Sequence, residues 1–262
     1  MVSKKAIVRP GAPALDKGLD LIEALAAEPG GLNQKQIAER VGRSVGEIFR
    51  MLGVLEQRGY VSRDPATGEY TLTLQLFRIA AKFPPTRRLQ QAALPVMEEL
   101  TAQTGLSCHL SVLSGQQFMV IAQMDPDWRM GWSVRLGAVF PLSEEYASAR
   151  VLAAFQLEGK RNELADVIAR EDKSNPRDVR AALDKVISRG GDFTKKDAEP
   201  GLRAFSCPIL ESSGRAVAAL TVPLLRQARI RAGEAESIEK QLRVAARRVS
   251  EKIGAGSISN AD

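Results

Sequence analysis

The chain has 262 residues, 44% of them hydrophobic and 26% charged, with a formal net charge of +6 and a pI near 9.5. The apolar share is ample for buried cores, and the basic balance is compatible with a nucleic-acid partner. The two cysteines, Cys108 and Cys207, form no C-x-x-C pair, so no zinc site is indicated; no apolar run reaches the length of a membrane span, and the N-terminal Lys4, Lys5 and Arg9 stand without an apolar signal core, which reads as a cytoplasmic protein.

Residues 1–13 are polar and carry Pro and Gly, the composition of a flexible arm, read either as a basic arm on DNA or as a solvated tail. Leu15, Leu19, Ile22 and Leu25 mark a first helix, closed by Pro29-Gly30-Gly31. Asn33 then caps a short helix carrying Ile37, Ala38 and Val41, and Gly42 supplies a tight corner. Ser44 stands three residues before Glu47, the spacing of a capping box. Ile48, Met51, Leu52 and Leu55 follow at three- and four-residue intervals, one apolar face of a second helix that Gly59 stops. Tyr60–Arg63 and Glu69–Leu72 flank Asp64-Pro65-Ala66-Thr67-Gly68, turn chemistry for a two-stranded wing.

Two docked helices leave the N-terminal end of the second free to enter a major groove. The candidate DNA-binding residues are Arg43, Ser44, Val45, Glu47 and Arg50 there, Gln34 and Lys35 on the preceding helix, and Arg63 and Thr67 on the wing. Arg43 suits phosphate or guanine; Glu47 either accepts from cytosine or is taken up by the capping box. A helical pair inside any small domain is the plainer alternative, but the capping box, helix stop and wing agree on a DNA-binding unit.

Leu74 to Ala80 reads as helical and meets Pro84-Pro85, a boundary or hinge. A helix from Thr86 to Thr104 carries Leu89, Ala93, Val96 and Leu100, with Pro95 as a kink. Leu106–Leu113 and Gln117–Met124 form a hairpin, and Trp132–Leu136 and Val139–Leu142 read as short strands. Ser143–Leu157 is expected to be helical, followed by a helix around Leu164, Val167 and Ile168 and a third capped by Asn175 with Pro176 at its first position. Leu202–Leu210 and Arg215–Val222 form a closing hairpin, and Glu234–Ile253 a final amphipathic helix. The second half is therefore α+β, an antiparallel sheet flanked by helices.

With both halves placed, the chain resembles the IclR family of bacterial transcription regulators. The segments ALDKGLDLIEAL, FRMLGVLEQRGYVSRDPATGEYTL, VRLGAVFPLSEEYASARVLAAF and GLRAFSCPILESSGRAVAALTVPL carry the resemblance, which spans about Ala14 to Ile253. It implies an N-terminal winged helix-turn-helix domain at 14–76, a linker helix region at 77–104, a C-terminal GAF-like effector-binding domain at 105–253 and a disordered tail at 254–262. It also implies a dimer or tetramer that binds a near-palindromic double-stranded operator and controls catabolism of small organic acids, often aromatic ones. The chain departs from the family at Gly46 and Glu47, where Ser-Thr is common, at Ser143, where His is common, and at Glu144–Ser148, where a Gly-rich step is common. Arg50 matches the family's arginine.

Carried over by position, the effector site comprises Arg129, Trp132, Phe140, Tyr146, Ala147, Ala204, Thr221 and Pro223. Backbone amides at the start of the mid-chain helix suit a carboxylate, Thr221 and Tyr146 offer hydroxyls, and Trp132 and Phe140 offer flat apolar surface. Arg129 either pairs with a carboxylate or is a solvated loop residue, and Trp132 belongs either to the pocket or to the core. The expected effector is a small carboxylic acid, aromatic in the sharper version.

The alternative is an enzyme acting on a small acid with a fused DNA-binding domain, since Ser143, Tyr146 and Ser148 lie beside Glu144 and Glu145. Those two carboxylates read more simply as favourable charge in a first helical turn. The only histidine, His109, lies on a strand, facing either the cavity or its neighbours in the sheet. No metal-ligand spacing, G-x-S-x-G or phosphate-cradling loop is present, so neither catalysis nor a cofactor is expected. A purely structural DNA-bridging protein would leave the second domain without a purpose.

Overall fold

The computed structural model describes residues 12–80, 82, 84–126, 133–193, 202–225 and 234–254. Arg129, Trp132 and Trp128, singled out above, lie outside the described residues, as do Lys4, Lys5 and Arg9 of the N-terminal arm. The chain divides into two units, Met1–Pro84 and Pro85–Asp262.

In the first unit, α1 (Pro13–Ala26), α2 (Gln34–Arg40) and α3 (Val45–Gln57) precede a two-stranded antiparallel ribbon of β1 (Val61–Arg63) and β2 (Tyr70–Leu72), then α4 (Gln75–Ala80). Asn33 caps α2 through a reciprocal box: its Oδ1 accepts the Gln36 N–H at 3.0 Å and Gln36 Oε1 accepts the Asn33 N–H at 2.8 Å. Gly42, at φ +65°, makes the corner that an L side chain would strain. Gly59, at φ +74°, ends α3 while the Tyr60 N–H reaches back to the Leu55 carbonyl at 2.8 Å. Ile37, Ile48, Leu52 and Leu55 meet Leu21 and Leu25 of α1 in the core. The first helix forms where it was expected, as α1. Its core face is Leu21, Ala24 and Leu25, whereas Leu15 and Leu19 are 61% and 47% exposed, because the helix is apolar on more than one side. The ribbon is anchored from below: Leu32 and Tyr70 exchange both backbone hydrogen bonds, at 3.0 and 2.8 Å.

The second unit begins with α5 (Pro84–Thr104), which runs through Pro95. Its sheet has the order β5-β4-β3-β7-β6, every pair antiparallel, built from β3 (Cys108–Ser114), β4 (Gln117–Met124), β5 (Val139–Pro141), β6 (Leu202–Leu210) and β7 (Ala216–Leu225). Side chains alternate across the pleat. Cys108 and Leu110, Phe205, Cys207 and Ile209, and Ala218, Leu220, Val222 and Leu224 pack in one core with α5 and α9 (Glu234–Ile253). Ala219 belongs to the core on the opposite face, with α6 (Ala147–Ala154), α7 (Glu158–Glu171) and α8 (Pro176–Ser188). The helical segment read as a linker thus supplies Leu89, Ala93, Val96, Met97 and Leu100 to the second unit's core.

Two expectations are overturned here. Residues 133–136 form no strand; the side chain of Gln123 on β4 holds them instead, accepting the Leu136 N–H at 3.0 Å and donating to Ser133 Oγ at 2.8 Å. The mid-chain helix is Ala147–Ala154, not 143–157. Ser143 Oγ accepts the Glu145 N–H at 3.1 Å and Asp172 Oδ2 accepts the Glu144 N–H at 2.7 Å, which fixes 143–146 as a turn. Glu144 and Glu145 therefore precede the helix and are not first-turn charges.

Candidate functional site

Two sites emerge, one in each unit. In the first, Glu47 Oε2 accepts from the Ser44 N–H at 3.0 Å and from the Ser44 hydroxyl at 2.9 Å. Its other oxygen accepts from Lys17 of α1 at 3.1 Å. These bonds, the Ser44 backbone first and Lys17 next, hold its carboxyl down at about 2. Arg43 pairs with Asp20 of α1 at 2.7 Å. Both side chains proposed for the groove are thus taken up in clamping α1 to the start of α3.

The rest of the DNA-facing set is distributed differently. Ser44, Val45 and Arg50 are exposed on α3 and Lys35 on α2, where it lies 4.0 Å from Glu39. Gln34 Nε2 donates to the Tyr70 hydroxyl at 3.0 Å, which ties α2 to the wing. The guanidinium of Arg63 sits 5.7 Å from the Tyr70 ring centroid, and Thr67 stands at the wing tip, its N–H and that of Ala66 turned onto Asp64 Oδ1. Phe49 escaped the sequence reading; it is 60% exposed on α3.

In the second unit a cavity of about 310 Å³ opens over the face of the sheet away from α5 and α9. Phe140, Tyr146, Ala147, Ala204, Thr221 and Pro223 line it. Strand parity explains the last three: in β6 and β7 the residues at 204, 221 and 223 alternate with those buried against α5 and α9. Phe118, opposite Phe140 in register, stacks on it with centroids 5.2 Å apart, and Tyr146 closes both rings at 5.7 and 5.3 Å. Arg135 is the one cation on the wall among the described residues.

The inner end is polar and shut from water. His109, Thr221 and Ser206 stand side by side in register on β3, β7 and β6. Thr221 Oγ1 lies 2.8 Å from Ser206 Oγ and 2.9 Å from Ser148 Oγ on α6, and Ser148 lies 3.5 Å from His109 Nε2. Burial alone pushes the imidazole down to about 4, so it is neutral near pH 7. His109 and Ser148 were not in the expected site. Finding them needs the β3–β7 pairing and the seat of α6, which no local pattern encodes. The buried thiols of Cys108 and Cys207 are pushed up to about 11 and about 12, which leaves them unreactive. Among the described residues no group of His, Cys, Asp and Glu is placed to hold a metal ion, and no helix is long and apolar enough to cross a membrane.

A helix-turn-helix with a tethered wing, followed by an α+β unit with an aromatic-walled cavity, invites comparison with known regulators. The family model for the IclR helix-turn-helix domain matches residues 14–65, and that for the bacterial transcriptional regulator IclR C-terminal domain matches residues 85–251. The chain belongs to the IclR family. It is 26% identical over 248 residues to the HTH-type transcriptional regulator KdgR of Escherichia coli, covering 91% of each chain. Among solved structures, the IclR protein of Thermotoga maritima is similar with a TM-score of 0.73 and 23% identity, over 93% of this chain and 100% of that one. An IclR homologue of Microbacterium hydrocarbonoxydans, solved with 4-hydroxybenzoate, gives a TM-score of 0.71 and 19% identity over 92% and 98%. This IclR-family chain is a DNA-binding transcription regulator and not an enzyme.

Proposed function

We propose that the protein is a homodimer or tetramer of the cytoplasm that binds a near-palindromic operator and answers to a small aromatic carboxylic acid, whose catabolism it controls. The carrying observation is the cavity in which Phe118, Phe140 and Tyr146 form an aromatic wall beside the first turn of α6. The amides of Ala147 and Ser148 have no acceptor within the helix, and the helix dipole favours an anion there. Flat rings take a flat ligand, and Arg135 supplies a guanidinium at the wall. The 4-hydroxybenzoate held by the Microbacterium homologue supports the same class of ligand. On the DNA side, Arg50 and Ser44 face the groove, while Gln34, Lys35, Arg63 and Thr67 meet the backbone. Arg43 and Glu47 shape the reading head from within.

Ligand binding has to favour one arrangement of the reading heads over another, or nothing shifts. The sheet lies between the cavity and α5, and α5 begins at the boundary between the units. Movement of the cavity walls is thereby passed to the segment that leads to the DNA-binding unit. Calorimetry of the purified chain against benzoate-type acids and aliphatic acids of similar size tests the ligand class. Binding of the aromatic acids, with a ligand-dependent change in operator affinity, is the expected result. Binding of aliphatic acids alone removes the aromatic assignment, and operator affinity indifferent to every bound acid removes the coupling.

A further inference from the structure

We propose that Phe49 reads the C5-methyl group of a thymine in the major groove, making one A·T pair in each half-site a specificity determinant of this regulator. The proposal rests on the reading of α3 as the recognition helix. Phe49 is the fifth residue of α3 and 60% exposed; Val45, one turn earlier, is 40% exposed. Neither serves the core, which Ile48, Leu52 and Leu55 fill from the other side of the helix.

Gly46 and Gly53 lie three residues before and four residues after Phe49, and a Cβ at either would meet nothing within 4 Å. Residues three and four apart are neighbours on a helix surface, so on the side of Gly46 and Gly53 the phenyl ring stands beside bare backbone. Two glycines inside a helix weaken it, and here no packing requires them. They leave a surface that another molecule can approach closely, with Phe49 and Arg50 protruding along it.

The occupant follows from the chemistry of that face. Apart from Arg50, its one charged group near the N-terminus is Glu47, whose carboxylate is already engaged by Ser44 and Lys17. A phenyl ring gains nothing from phosphate or from the polar edges of bases. The apolar group that the floor of a major groove does offer is the thymine methyl. Successive helix positions then let Phe49 and Arg50 address neighbouring base pairs, the arginine taking a guanine.

The test starts from the full-length protein and a library of random-sequence duplex DNA, from which bound sequences are enriched. The wild type is expected to select one invariant A·T pair in each half-site, and Phe49→Ala to lose that preference while keeping the others. On the selected duplex, deoxyuridine in place of that thymidine removes only the methyl. It should weaken wild-type binding about fourfold per half-site, the worth of one buried methyl group, and leave Phe49→Ala unaffected. Cytosine there should weaken binding further, and 5-methylcytosine should regain part of the loss.

Equal wild-type affinity for the thymidine and deoxyuridine duplexes overturns the proposal while leaving sequence-specific binding intact. So does a Phe49→Ala variant that selects the wild-type sequence, or one that changes only the oligomeric state in sedimentation, which would assign the ring to contact between copies. Failure of the wild type to enrich any sequence overturns the proposal together with the DNA-reading assignment. The deoxyuridine comparison alters the DNA alone, so it holds whatever the variant does to folding.

Discussion

Ion pairs at the head of one helix in each unit sit in opposite surroundings. At the start of α3, Lys17–Glu47 and Arg43–Asp20 are partly open to solvent, their side chains between 25% and 47% exposed. In the second unit Arg150 of α6 pairs with Asp192, at 7% and 0% exposure. Water screens the first pair of contacts, so their worth is small and salt-dependent, and their role is to aim a helix. The second pair is shut from water, so losing either charge is costly. In the DNA-binding unit exposed charge trims the aim of α3, whereas in the effector unit a buried pair fixes α6 against the segment at Asp192.

Removing one member of the buried pair should give the largest effect. Asp192→Ala removes a wholly buried carboxylate from beside Arg150 and is expected to cost about 3–5 kcal/mol in urea denaturation. A loss below about 1 kcal/mol would show that the pair is solvated in solution. The next effect comes from pH. His109 titrates at about 4 when folded, against an ordinary 6.5, so protons favour the unfolded state between those values. Its contribution is complete above pH 6.5, falls as pH drops through that window and is gone below about 4. At pH 5 the loss amounts to about 2 kcal/mol. Glu47 works in a lower window: its folded value of about 2 lies under the usual 4.5, so its contribution is lost only as pH falls from 4.5 through 2. Acidification to pH 5 should therefore loosen the second unit first. Hydrogen exchange at the β3 and β7 amides follows that unit selectively. His109→Gln should flatten the response above pH 5.

Smaller effects sharpen the comparison from the first unit. Gly53→Ala places a methyl group in open space on a helix and should stabilise the protein by about 1 kcal/mol in thermal unfolding. The same variant is expected to weaken operator binding if the bare strip on α3 is a contact surface. Asp20→Ala should cost less than about 1 kcal/mol and become neutral in high salt. A salt-independent cost would mean that the Arg43 pair is structural in the manner of Arg150–Asp192.

What was legible in the chain was whatever is written locally. The capping pairs Asn33–Gln36 and Ser44–Glu47, the stop at Gly59, the Asp64 turn and the helix 234–253 each sit within a few residues of their own signal. The α6 start was misplaced because 143–146 follows the distant carboxylate of Asp172 and not helical periodicity. The capping box foretold the Ser44 bonds of Glu47, but its Lys17 contact and the Asp20 contact of Arg43 were out of sight because those partners come 30 and 23 residues earlier. In the cavity, positions on β6, β7 and α6 could be placed by resemblance, while choosing between the cavity and the sheet for His109 required knowing that β3 lies against β7. Gln123, which braces residues 133–136, gave no sign in its local pattern, an amide near the end of a largely apolar strand.

The alternation along β3, β6 and β7 has a consequence for how such a sensor can change. His109 on β3, Ala204 on β6 and Thr221 and Pro223 on β7 line the cavity, and their immediate neighbours meet α5 and α9. Under the proposed function, chemical taste and mechanical linkage are encoded on interleaved residues of the same strands. A lineage, or a laboratory making biosensors, can rewrite the first set at 109, 204, 221 and 223 toward a new analyte without disturbing the surface that carries the message onward.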